Sequence, residues 1–301
     1  MAANFRSLQI ANRRKTFFLL AMFGGLTWVL LFAVFTYLGQ SSAAIVPVAV
    51  IISLIMVWGS YFSSDKLVLR MTGAQIIQES DNPKLFGLIQ EVSKTSGLPM
   101  PKVAIVEDSA PNAFATGRNP EHALIAFTTG ILNRMDRDQL QGVIAHELSH
   151  VANRDTLVSA VAATTAGAIA LISDFLSRMI FWGRGGRDRN QNPLALVISF
   201  LVLILAPIAA MLLKAAISRS RESLADATAV SFTKNPAGLR SALEVLQQDS
   251  TVVKHASNAV AHLYIESPLD SSNVSKLFAT HPPLSERIQI LKDLENGRTN
   301  S

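Results

Sequence analysis

From Thr16 to Leu38 the chain carries no charged side chain. A bilayer core about 30 Å thick is crossed by about 20 apolar residues in a helix, so this run, TFFLLAMFGGLTWVLLFAVFTYL, is long enough to span. In lipid its backbone groups must be satisfied within the segment, which restricts it to helix. A second apolar run, Ala43 to Phe62, follows across the short uncharged link GQSS. A secretory signal has a shorter apolar region and no second run behind it, so a membrane hairpin is the better reading. Arg6, Arg13, Arg14 and Lys15 precede the hairpin, and Lys66 and Arg70 follow it. Positive charge on one side only places both ends of the hairpin in the cytoplasm, and the chain from about Asp65 onward begins there. Trp28, Tyr37, Trp58 and Tyr61 suit interfacial positions and internal packing equally.

Charged residues make up only 16% of the 301 residues, against a net charge of +5. The Lys and Arg gather at the ends of apolar runs, with no aromatic-basic stripe, so membrane topology explains them and nucleic-acid binding is not expected. There are no cysteines. Disulfides are excluded, and any metal must be held by His and carboxylates.

Between the hairpin and Asp155 the chain reads as soluble. Asn82 to Leu98 has helical periodicity, with Pro83 in a first turn and Gly97 at the end. Lys102 to Asp108 and His122 to Leu132 are β-like. Asp136 to Asp155 reads as a helix with an Asp-rich start. Apolar character returns from Thr156 to Ser173 and from Pro193 to Leu213, around the polar loop Gly183 to Asn192. Lys214 to Val230 is a charged stretch, and Ser231 to Ser301 reads as soluble and mostly helical, with a break at His281-Pro282-Pro283. The domains expected are therefore a transmembrane hairpin over 1–64, a first catalytic part over 65–155, a second membrane hairpin over 156–213 and a second catalytic part over 214–301.

The string VIAHELSHVANRD, Val143 to Asp155, carries two of the chain's six histidines. His146, Glu147 and His150 form H-E-x-x-H. On a helix, residues four apart share a face, so both imidazoles can converge on one Zn²⁺ at about 2.0–2.1 Å. Glu147 is offset by about 100° around the axis. That sets its carboxylate beside the ion, where it can take a proton from water and pass it to a leaving amine. The preceding β-like segment could offer its edge, near Ala123 to Thr128, to an extended peptide.

A catalytic zinc needs a third protein ligand and one open position. His122 reads as a surface residue, and His255 and His262, seven apart, as one solvated helix face. Glu222 in SRSRESLAD is the better candidate. Asp226 lies four residues later on the same face, suited to accept the remaining N–H of a metal-bound imidazole. Two apolar segments separate His150 from Glu222, an even number, which returns the chain to the same side. The loop between them is net positive, with Arg178, Arg184, Arg187 and Arg189 against Asp174 and Asp188. Two arrangements fit: the first hairpin fixes the orientation, or the second is tucked into the membrane without crossing.

With these residues assembled, the chain resembles the HtpX group of membrane zinc metalloproteases in peptidase family M48, related to the CAAX prenyl proteases. The resemblance is carried by NAFATG at Asn112 to Gly117, HELSH at His146 to His150, RESLAD at Arg221 to Asp226 and THPPLSERI at Thr280 to Ile288, in that order between and after two hairpins. It implies one Zn²⁺ on His146, His150 and Glu222, Glu147 as general base, and a mainly α, gluzincin-like domain with a small β-sheet in a multi-pass membrane protein. It also implies a bacterial inner-membrane location, a cytoplasmic catalytic domain and N-terminus, membrane-protein or unfolded polypeptide substrates, and a role in stress-linked quality control. Asn112 and Ala113 would line the substrate edge. His281 or Arg287 would steady the oxyanion or the Glu222 carboxylate, although the HPP string also reads as an ordinary helix start.

The expected function is thus a membrane-bound zinc endopeptidase. A non-cutting zinc adaptor or holdase would need a closed four-ligand site, and no fourth residue offers itself. A transporter would need ionisable groups inside the apolar runs, which hold almost none.

Overall fold

In the computed structural model, the residues described are 10–12, 14–25, 27–28, 42–165, 167, 174, 219–249, 251, 260, 263–265 and 282–296. Residues 29–38 of the first apolar run, the Gly183 to Asn192 loop, the Pro193 to Leu213 run, His255, His262 and His281 lie outside them. Helical residues 10–12 and 14–25 come first. The numbered elements then run α1 (Ser42–Phe62), α2 (Ser64–Thr72), β1 (Gln75–Ile77), α3 (Pro83–Ser96), β2 (Lys102–Val106), β3 (Ala113–Thr116), β4 (Leu124–Thr128), α4 (Thr129–Arg134), α5 (Arg137–Ala152), α6 (Arg219–Thr233), α7 (Pro236–Gln248) and α8 (Leu284–Glu295). The architecture is mainly helical with one small mixed sheet.

Local chemistry sets the helix ends. Asn82 caps α3 by accepting from Leu85 N–H at 3.1 Å, Pro83 fills the first turn, and Gly97 closes it at φ 69°. Asp136 caps α5 in a reciprocal pair: its carboxylate accepts from Gln139 N–H at 2.9 Å, and Gln139 Oε1 accepts from Asp136 N–H at 3.0 Å. The β-like reading from His122 to Leu132 is corrected. The strand covers only Leu124–Thr128, because Thr128 Oγ1 accepts from Ile131 N–H at 3.2 Å and starts α4.

The sheet order is β1-β2-β4-β3. β2 and β4 are parallel, Lys102 opposite Leu124 through Val106 opposite Thr128, and β1 and β3 flank them antiparallel. β4 is therefore hydrogen-bonded on both sides. That overturns the expectation that a peptide could add beside Ala123 to Thr128, since a central strand has no unpaired N–H or C=O row to offer. β1 and β3 are the edge strands, and on β3 Phe114 forms an antiparallel bridge with Tyr264.

Both faces of β4 are buried, which is why its sequence is apolar throughout rather than alternating. One face, with Ile125 and Phe127, packs on α3, α5 and α7 through Ile89, Ile144, Leu148 and Leu243. The other, with Leu124 and Ala126, packs on Val68, Ala160, Ala163 and Tyr264. Side chains before Asp155 and after Arg219 thus share one core.

Among the described residues no single helix is long and apolar enough to cross a membrane. Val46–Phe62 and Ser64–Thr72, bent by 69°, pass that test together. Phe17, Phe18, Leu54, Ile55 and Trp58 are largely exposed.

Candidate metal centre

Helix α5 carries the H-E-x-x-H string into the core. Gly142 lets α7 approach closely: a Cβ there would lie 2.5 Å from Leu239 N. One turn later His146 and His150 emerge on one face, their Nε2 atoms 3.2 Å apart and their rings nearly perpendicular at 89°. Glu222 enters from the first turn of α6. Its Oε2 is 3.6 Å from His146 Nε2 and its Oε1 is 3.8 Å from His150 Nε2. One ligand atom from each of the three residues lies within 4.8 Å of the others.

A tetrahedral ion with bonds of about 2.0–2.1 Å spaces its ligand atoms about 3.3–3.4 Å apart. The imidazole pair, 3.2 Å apart, is close to that value, with one carboxylate oxygen near each ring, and two imidazoles with one carboxylate are a zinc-type donor set that leaves a fourth position for water. The residues present therefore fit the ion. His146, Glu147 and Glu222 are almost fully buried, whereas the His150 side chain is 16% exposed, so the centre opens to solvent on the His150 side.

Behind each imidazole stands a carboxylate. Asp226 Oδ1 lies 2.9 Å from His146 Nδ1. Its oxygens also accept from Arg287, Nε to Oδ2 at 2.9 Å and Nη2 to Oδ1 at 2.7 Å. Arg287 is fully buried, donates through Nη1 to Ile265 C=O at 3.3 Å and sits 3.9 Å from Glu222 Oε2. Asp155 Oδ2 lies 3.0 Å from His150 Nδ1. Arg154, in the left-handed region at φ 58°, turns the chain so that Asp155 faces back toward α5. Asp155 Oδ1 accepts from the Asn12 amide, which also donates to Asn153 C=O at 3.0 Å.

These neighbours set the local charge states. Burial and Arg287 act to lower the His146 pKa, but hydrogen bonds to Asp226 and Glu222 outweigh them and raise it to about 9. Burial would raise Asp226, yet Arg287 and His146 hold it at about 2. Burial lifts the Glu147 carboxyl above its usual range, against the pull of His146 and His150.

Of the residues singled out in the sequence, the structure brings His146, His150, Glu222, Asp226 and Arg287 together around one point, with Glu147 on the same helix. Asn112 and Ala113 lie at the start of the edge strand β3. Asn112 N–H donates to Thr128 Oγ1 at 2.8 Å, and Ala113 C=O accepts from Ile265 N–H at 2.9 Å. Two contributors were not anticipated. Asp155 closes the same HELSHVANRD string and could have been suspected from its place one turn past His150. Asn12, in ANRRK, gives no such sign.

The description "Peptidase family M48" matches residues 79–295. A Protease HtpX homolog of Streptococcus gordonii is 44% identical over 291 residues, covering 94% of this chain and 98% of that protein. Another of Syntrophobacter fumaroxidans is 47% identical over 257 residues, covering 82% and 89%. Among solved structures, S. mikatae Ste24p matches with a TM-score of 0.51 at 18% identity, over 95% of this chain and 66% of that one, a likeness of fold.

Proposed function

This chain belongs to peptidase family M48 and is a metalloprotease; from that premise we propose that it is a membrane-held zinc endopeptidase cutting exposed segments of membrane or unfolded polypeptides on the cytoplasmic side. The observation that carries the reading is the convergence of His146, His150 and Glu222 within 4.8 Å, on the helix that also bears Glu147.

In this reading His146, His150 and Glu222 hold the ion. Zinc, when bound, supplies Lewis-acid polarisation of the scissile carbonyl and lowers the pKa of water toward about 7. The chain's own groups do the rest. The Glu147 carboxylate accepts the proton of the attacking water and returns it to the leaving amine. Its burial, which raises its pKa, suits a group that must be both base and acid near neutral pH. Asp226 and Asp155 accept the Nδ1 protons of the two imidazoles, which leaves each Nε2 lone pair for the ion. The substrate carbonyl enters from the solvent side at His150.

Membrane attachment is supported by the uncharged run Thr16 to Leu38 and by exposed apolar side chains on the helix 14–25 and on α1, a surface that water disfavours. The cytoplasmic side is supported by the basic residues flanking the first hairpin. The quality-control role follows from the resemblance to the HtpX group.

The test compares detergent-solubilised wild type with Glu147→Gln for metal content and casein degradation. Equal metal content with cleavage reduced on the order of 10²–10⁴-fold is expected. Wild-type cleavage by a metal-loaded Glu147→Gln protein would remove Glu147 from the mechanism.

A further inference from the structure

The two imidazoles are backed in the same way. Each Nδ1 faces a carboxylate, and each carboxylate is held from behind by a deeper donor. For His146 the sequence is Asp226 and then Arg287. For His150 it is Asp155 and then Asn12. The first set lies within α5, α6 and α8. The second reaches 143 residues back along the chain, to the short helical stretch just before the first apolar run.

Asn12 is only 2% exposed, and Asp155 only 3%. Both Asn12 contacts come from one nitrogen, Nδ2, which donates to Asp155 Oδ1 and to Asn153 C=O. An amide NH₂ has two protons, so this pair uses them both. Asn12 itself is tied to the helix that follows, because Thr16 Oγ1 donates to Asn12 C=O at 3.0 Å. The acceptors, Asn153 C=O and the Asp155 carboxylate, bracket the Arg154 turn. Asn12 thus clamps the residues that decide where Asp155 points. A carboxylate whose second oxygen is anchored cannot swing away from His150 Nδ1, and that hydrogen bond fixes the imidazole's tautomer and orientation.

We propose that Asn12 is a positioning residue for the metal centre, acting through Asp155 on His150, so that the N-terminal segment completes the site as well as anchoring the chain. This inference rests on the zinc-centre reading above. The partner is neutral where His146 has an arginine. An amide holds Asp155 in place by hydrogen bonds alone, Nδ2 to Oδ1, and leaves Oδ2 to face His150 Nδ1.

The experiment uses the full chain in detergent. Zn²⁺ affinity is measured by competition with a chromophoric chelator, and site geometry by the visible absorption of the Co²⁺-loaded protein. Loss of an outer partner of a metal-bound His weakens binding by about 10–100-fold. Asp155→Ala is expected in that range, and Asn12→Ala on the order of tenfold with an altered Co²⁺ spectrum. The double variant should bind no more weakly than Asp155→Ala alone, because Asn12 acts only through Asp155. Where Asn12→Ala does not accumulate, Asn12→Gln keeps the amide but moves it by one methylene; a shifted Co²⁺ spectrum and weaker affinity are again expected. Wild-type affinity and spectrum in the Asn12 variants, or losses that simply add in the double variant, overturn the inference and leave the metal centre standing. A wild-type chain that binds neither ion overturns both.

Discussion

Arg287 holds Asp226 through two hydrogen bonds, 2.9 Å from Nε and 2.7 Å from Nη2, with the arginine wholly inside the protein. This pair ties α8 to α6 directly behind His146. Removing one partner of a buried pair strands the other charge and destabilises by about 3–5 kcal/mol. Arg287→Met should therefore lose about that much in denaturant unfolding of the metal-free chain. Combining it with Asp226→Leu should lose less than the sum of the two single changes. Simple additivity would show that the pair is not coupled.

In the proposed centre Glu222 is the third ligand. Glu222→Ala should bring metal content well below one ion per chain after dialysis against a weak chelator, while the fold, read by circular dichroism, is kept. Full stoichiometry in that variant would place the third ligand elsewhere.

Metal binding should depend on pH in a defined direction. In the metal-free chain the His146 pKa is raised from 6.5 to about 9, so the proton on His146 stabilises the fold fully below about 6.5 and that contribution fades as pH rises through 9. Zinc needs the neutral imidazole, so loading expels this proton. Apparent Zn²⁺ affinity should climb from pH 6.5 to 9, and the rise in melting temperature on adding zinc should grow over the same window. Calorimetry in buffers of different ionisation enthalpy would count the released proton. A flat affinity over this range would contradict a protonated His146 in the empty site.

Packing of α5 on α7 leaves no room at Gly142, where a Cβ would sit 2.5 Å from Leu239 N and 2.6 Å from its Cα. Both are backbone atoms and cannot rotate aside. Gly142→Ala should destabilise by about 1–3 kcal/mol and displace the histidines one turn on, lowering metal affinity as well. Gly87, exposed within α3, meets nothing within 4 Å. Gly87→Ala should instead stabilise by about 0.5–1 kcal/mol, because it removes backbone freedom from the unfolded chain. Equal effects at the two sites would mean that the close approach of α5 and α7 is not real.

What the sequence determined by itself was whatever depends on a few successive residues. The spacing of His146 and His150 sets both imidazoles on one face because helix geometry is local, and the caps at Asn82, Asp136 and Gly97 act within one turn. Asp226 could be placed near a histidine because it follows Glu222 by one helical turn. Tertiary structure decided the rest. Lys102 to Val106 and Leu124 to Thr128 both read as strands, but only the pairing of β4 with both β2 and β3 made it a sealed centre and β3 an edge, since strand order depends on contacts between segments distant in the chain. Likewise no local rule joins Asn12 to Asp155 across 143 residues. Those two side chains meet because burial leaves each polar group needing a partner, and the fold alone determines which one is within reach.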